Sequence, residues 1–120
     1  MKIRIKGNSV RFRLTKTEVE VFCKEGIIKE QTVFASKTFT YCLQAKKGIT
    51  LLEATYENDT ITIYFPLEET TTWAISNRVG FHNGVDWNDN SALSLLVEKD
   101  FACLDTTQED QSDNYPNPRA

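Results

Sequence analysis

The sequence predicts an α+β domain: a mostly antiparallel sheet of about six to eight strands, strongly curved or nearly closed, with one helix in the N-terminal half and one shorter helix. Three observations predict it. Apolar and polar residues alternate with period two in several short segments; one stretch near the N-terminus has helical spacing with stop and start signals at its ends; and 120 residues with 40% hydrophobic content and only five glycines and three prolines suit one compact core. Residues 1–104 are expected to form that domain, with 105–120 an acidic tail.

The first two strands are read from Ile3 and Ile5 against Lys2, Arg4 and Lys6, then from Val10, Phe12 and Leu14 against Arg11 and Arg13. Gly7-Asn8 between them suits a two-residue hairpin, which sets Lys6 opposite Ser9, Ile5 opposite Val10 and Ile3 opposite Phe12. The same register sets Arg4 opposite Arg11 and Lys2 opposite Arg13 on the other face. Thr15 with Glu18 then forms a capping box, Leu14 and Val19 a hydrophobic staple, and Gly26 a C-terminal stop, so a helix is expected over 16–25 with Val19, Phe22 and Cys23 buried.

Residues 27–35 read as an irregular strand. Three alternating segments follow: Phe39, Tyr41, Leu43 and Ala45; Leu52, Ala54 and Tyr56; Ile61, Ile63 and Phe65. An Asn58-Asp59 turn pairs the second with the third, Tyr56 with Ile61, Ala54 with Ile63 and Leu52 with Phe65. The Lys47-Gly48 loop is expected to complete a meander by setting Leu43 against Leu52 and Phe39 against Tyr56. After Pro66, the spacing of Leu67, Thr71, Ala74 and Ile75 predicts the shorter helix, weakened by three consecutive threonines. A brief strand at 79–81, a polar loop carrying Trp87, and a last strand through Leu93, Leu95 and Val97 complete the fold; Trp87 reads as a core cap or a ligand contact.

Charge is divided along the chain. The net charge is −3, yet residues 1–50 hold 11 Lys/Arg against 4 Asp/Glu and residues 51–120 hold 3 against 13. Within the first half, Lys2, Arg4, Lys6, Arg11 and Arg13 share one face of the hairpin with no acid among them, and directly opposed like charges destabilise a strand pair by up to about 1 kcal/mol. Relief has three available sources: water and salt, carboxylates of the later half such as Glu98 or the tail, or a bound anion held by arginine forks. Those five residues are the candidate binding site, for a phosphate-containing or other anionic ligand or an acidic protein segment. Duplex nucleic acid is disfavoured by the acidic total and the lack of a recognition-helix motif.

Other chemistry is thinly represented. Cys23, Cys42 and Cys103 are an odd, widely spaced set without Cys-x-x-Cys, which argues against zinc and fits a reducing compartment. Cys23 and Cys42 read as core residues, and acidic neighbours suppress a thiolate at Cys103. His82 is the single histidine and has no legible catalytic partners. The tail carboxylates Asp105, Asp110 and Asp113 with Asn114 have oxygen donors for Mg²⁺ or Ca²⁺ but match no calcium loop, and a solvated tail, or one pinned by Tyr115, is the plainer reading. Asn58-Asp59-Thr60 matches a glycosylation acceptor, though the hairpin turn accounts for it. No Gly-rich phosphate loop or His-Glu-x-x-His is present; no cofactor and no catalytic residue is expected. No apolar run is long enough to span a bilayer, and the opening residues break any signal sequence with charge, so no membrane partner and a cytoplasmic location are expected.

The opening MKIRIKGNSVRFRLTKTEV, the central FTYCLQAKK and the closing LLVEKDFACLD with EDQSDNYPNP resemble a family of small bacterial proteins of unknown function. The resemblance implies a single-domain cytoplasmic protein and carries no activity, ligand or site residues with it. Triphosphate-tunnel enzymes are a poorer match, since Lys2-Ile3-Arg4-Ile5-Lys6 stands where they carry Glu-x-Glu-x-Lys, removing the metal carboxylates. The leading expectation is a non-enzymatic binding module that uses the basic hairpin. The alternatives are a metal-dependent phosphohydrolase using Glu53, Glu57, Glu98 or tail carboxylates, and a structural protein whose basic face is satisfied by its own tail.

Overall fold

The computed structural model describes residues 1–86, 91–101, 113, 115 and 116. Eight strands and one α-helix follow in order: β1 (Lys2–Lys6), β2 (Ser9–Leu14), α1 (Lys16–Glu25), β3 (Ile27–Val33), β4 (Thr38–Lys46), β5 (Glu53–Glu57), β6 (Thr60–Pro66), β7 (Gly80–His82) and β8 (Ser94–Lys99). The readings placed on Trp87, Cys103, Asp105, Asp110 and Asn114 lie outside the described residues.

The strands form two open four-stranded sheets rather than one nearly closed sheet. Their orders are β1-β2-β8-β7 and β3-β4-β6-β5. Each is two antiparallel hairpins joined through their inner strands by a parallel ladder, β2 with β8 and β4 with β6. The first hairpin has the predicted register residue for residue, Ile3 with Phe12 and Ile5 with Val10, and across Asn58-Asp59 Tyr56 pairs with Ile61 and Ala54 with Ile63 as predicted, while the predicted pair of Leu52 with Phe65 does not form. Both turn residues there take positive φ, 53° and 58°, as a tight hairpin of this hand requires.

The meander is not formed. Leu43 pairs with Ile63, Tyr41 with Ile61 and Ala45 with Phe65, so β6 takes the central place and β5 lies at the edge. Composition explains the exchange: β6 supplies Ile61, Ile63 and Phe65 to the interior, whereas β5 carries Glu53 and Glu57, charges that suit a strand with an open edge. Leu52 falls outside β5; it is buried and donates its N–H to the His82 carbonyl at 3.3 Å, linking the two sheets.

The α1 boundaries match the expected 16–25. Thr15 accepts from the Glu18 N–H, Glu18 accepts from the Thr15 N–H, and Gly26 closes the helix at φ 79°. Val19 and Phe22 are fully buried and Cys23 partly so, while Cys42 on β4 is also in the interior. The expected shorter helix is instead two 3-10 turns, Leu67–Thr71 and Trp73–Ile75, because the threonine run does not sustain an α-helix. The sequence spacing assigned Ile75 inward; Ile75 is exposed and Trp73 is buried in its place, with its indole N–H donated to the Arg78 carbonyl at 3.0 Å.

Phe65 is the centre of the interior. Its ring meets Phe22 of α1 at 5.1 Å, Trp73 at 5.2 Å and Phe81 of β7 at 4.5 Å, tying both sheets, the helix and the 3-10 turns together. Ile5 and Tyr56 depart from the expected apolar face, being 57% and 67% exposed, and both line an apolar cleft of about 290 Å³ between the β1–β2 turn and Ala54 and Ile61.

Two substitutions test this architecture. Thr15→Ala removes the capping box and is expected to cost about 1 kcal/mol in urea denaturation. Gly80→Ala places a methyl 2.5 Å from the Val97 carbonyl oxygen and 2.8 Å from Glu98 Cβ, so β7 must separate from β8 and the melting temperature is expected to fall further than in Thr15→Ala.

Candidate functional site

Strand alternation carries the five basic residues to the face of the first sheet opposite Phe12, Leu14, Leu95 and Val97. Two cross-strand rows define it. Lys2, Arg13, Glu98 and Gly80 form one; Arg4, Arg11, Leu96 and His82 form the next. Lys6 continues the face towards the turn beside Ser9, whose hydroxyl donates to the Lys6 carbonyl.

The parallel β2–β8 ladder brings carboxylates from the far end of the chain onto this face. Arg13 Nε donates to Glu98 Oε1 at 3.0 Å, and an Arg11 terminal nitrogen lies 3.5 Å from the same oxygen. Lys2 Nζ stands 3.0 Å from Asp100 Oδ2, an ion pair made without hydrogen-bond geometry. Thus Glu98, weighed from the sequence as an internal counter-charge, serves two arginines, and Asp100 serves a third cation. Among the described residues Arg4 and Lys6 make no ion pair, and both are exposed.

Crowding persists despite these contacts. The Arg11 guanidinium is held below its ordinary basicity first by burial, then by Arg13 and Arg4, against the opposing pull of Glu98 and Asp100. The five cations converge on one surface with two described carboxylates between them.

The tail does not supply the relief at Asp113. Its carbonyl accepts the Lys16 N–H at 2.9 Å, and its carboxylate accepts from the Thr17 hydroxyl at 2.8 Å and the Thr17 N–H at 3.3 Å, so it caps the first turn of α1. Hydrogen bonding to the Thr15 side chain, then to the Thr17 side chain and N–H, holds the carboxyl below the usual range. The Tyr115 N–H donates to the Asp100 carbonyl at 2.9 Å, and its ring lies 5.7 Å from that of Phe101.

Among the described residues, Glu53, Glu57 and Glu98 are not brought together as a phosphohydrolase would require. Glu53 and Glu57 lie on the second sheet, where Glu53 pairs with Lys46 at 2.9 Å, whereas Glu98 lies on the first and is committed to arginines. No three His, Cys, Asp or Glu side chains among the described residues are grouped to hold a metal ion. His82 accepts the Gly84 N–H at Nδ1, 2.9 Å away, a turn contact. Sequence reasoning missed Lys99, which ends β8 on the interior side and is 4% exposed; the alternation Leu95, Val97, Lys99 is the signal that points it inward.

Glu98→Gln leaves Arg11 and Arg13 facing each other with a weaker acceptor. The expected loss is about 1 kcal/mol in urea titrations at low salt, shrinking as ionic strength rises because both arginines reach solvent. Burial raises the Tyr115 hydroxyl from 10.0 to about 12, with Glu20, Cys23 and Asp113 adding to the shift. Above pH 10.0 the unfolded tyrosine ionises while the folded one keeps its proton, so its share of stability is whole below 10.0 and is lost as pH climbs towards about 12. A stability profile of Tyr115→Phe is expected to lack that alkaline decline.

Within the described residues no helix is long and apolar enough to cross a membrane. No curated protein and no solved structure matches the chain. Residues 1–119 match the sequence profile described as "Family of unknown function (DUF7009)", and the protein belongs to that family.

Proposed function

We propose that the protein is a non-enzymatic interaction module whose β1-β2-β8 face binds an acidic protein segment or another extended anion through Lys2, Arg4, Lys6, Arg11 and Arg13. The observation that carries this reading is the imbalance on that face: Glu98 and Asp100 are engaged by Lys2, Arg11 and Arg13, while Arg4 and Lys6 stand exposed beside them with no ion pair among the described residues. Arg4 lies directly across from Arg11, so a carboxylate or phosphate arriving there relieves a repulsion already present in the fold. Alternate residues of neighbouring strands form a broad sheet surface, which favours an extended partner over a small enclosed one.

A labelled decaglutamate peptide and inorganic polyphosphate are suitable probes in fluorescence anisotropy. Binding is expected to weaken steeply with added salt, and the double substitution Arg4→Glu, Lys6→Glu is expected to weaken it by about tenfold or more, with the melting temperature little changed. Absence of binding by either probe at low salt, or unaltered binding after charge reversal, would overturn the reading.

A further inference from the structure

Lys99 is a cation placed on the interior side of a sheet. Its strand partner is Leu14, which has no exposed surface, and the residues before it on the same side are Leu95 and Val97. The ammonium donates to the Ser76 carbonyl at 2.8 Å and lies 5.0 Å from the centre of the Tyr115 ring and 5.9 Å from that of Trp73. Asp100, next in sequence, faces the other way and pairs with Lys2. No carboxylate among the described residues pairs with Lys99, although a buried ammonium has three donors and a large desolvation cost to offset. Burial lowers its basicity accordingly.

The same place holds a second orphan. The Tyr115 hydroxyl is buried and has no hydrogen-bond partner among the described residues. Both side chains line a cleft of about 410 Å³ between the Trp73–Ile75 turn and the end of β8, within the size range of small-molecule sites. Its other walls include Ile75, Val79 and Phe101; Ile75 is 86% exposed and Val79 43% exposed, so apolar surface is left open to water beside the two donors.

We propose that this cleft binds a small organic carboxylate, one oxygen accepting from the Lys99 ammonium and the other from the Tyr115 hydroxyl, with the apolar body of the ligand against Ile75, Val79 and Phe101. The buried ammonium flanked by aromatic rings and the neutral phenol supply two classes of donor, which a carboxylate consumes, and the exposed Lys16 on the same lining adds to the positive charge that favours it. Inorganic phosphate would have no use for the apolar walls. None of these residues belongs to the cationic sheet face, so the two sites stand or fall separately.

The test is an NMR titration of the labelled protein with benzoate, acetate, benzyl alcohol and inorganic phosphate. Benzoate is expected to shift the Trp73 indole N–H and the Ile75 and Val79 methyls saturably, acetate more weakly, and benzyl alcohol at least about tenfold more weakly than benzoate. Lys99→Met exchanges a buried ammonium for an apolar chain of similar length and is expected to abolish saturation; Tyr115→Phe, which removes only the hydroxyl, is expected to weaken benzoate several-fold with the fold intact. No saturable response to benzoate, equal responses to benzoate and benzyl alcohol, a preference for phosphate, or unchanged affinity in Tyr115→Phe would each overturn the assignment.

Discussion

The parallel ladder between β2 and β8 is the constraint on which the other features depend. It sets Arg13 beside Glu98, Arg11 beside Leu96 and Leu14 beside Lys99, across more than eighty positions of sequence. Without it the hairpin cations would have no described carboxylate between them, and Lys99 would have no interior to enter. The ladder itself is held by apolar contact: Val10, Phe12 and Leu14 of β2 alternate in register with Leu95 and Val97 of β8 over the Phe65 cluster. Hydrophobic burial on one side therefore fixes the electrostatics of the other, since a one-residue slip would exchange the two faces.

What the sequence disclosed and what it withheld follow from the range of the interactions. Turn chemistry and capping are local, so the registers across Gly7-Asn8 and Asn58-Asp59 and the limits of α1 were legible from a few adjacent residues. The exchange of β5 for β6 beside β4 was not, because both segments alternate correctly and the choice between them is made by comparing burial over the whole sheet. The partition into two sheets was hidden for the same reason: parallel pairing leaves no mark in the turn that precedes it. Trp73 escaped notice because the threonine run breaks the helical period that would have placed it inward.

The candidate site was legible as a set of residues and opaque as a balance of charges. Period-two alternation alone placed five cations on one face. Which acids reach that face depends on β8, and Glu98 and Asp100 answer differently from Asp113, which joins the start of α1. Lys99 shows the reverse limitation: its inward position follows from the Leu95, Val97 alternation, but a lysine at a strand end ordinarily reads as the point where the chain turns outward.

The order of the hairpins along the chain bears on how the protein comes into being. The second sheet is complete within residues 27–66, enclosed by the two hairpins that make the first. A chain emerging from the ribosome can thus assemble its enclosed sheet early, while the β1–β2 ribbon waits for residues 94–99. Throughout that interval the ribbon is a nascent polycation whose inner edge is unpaired, and synthesis of β8 both closes that edge and delivers Glu98 and Asp100 to its charged face.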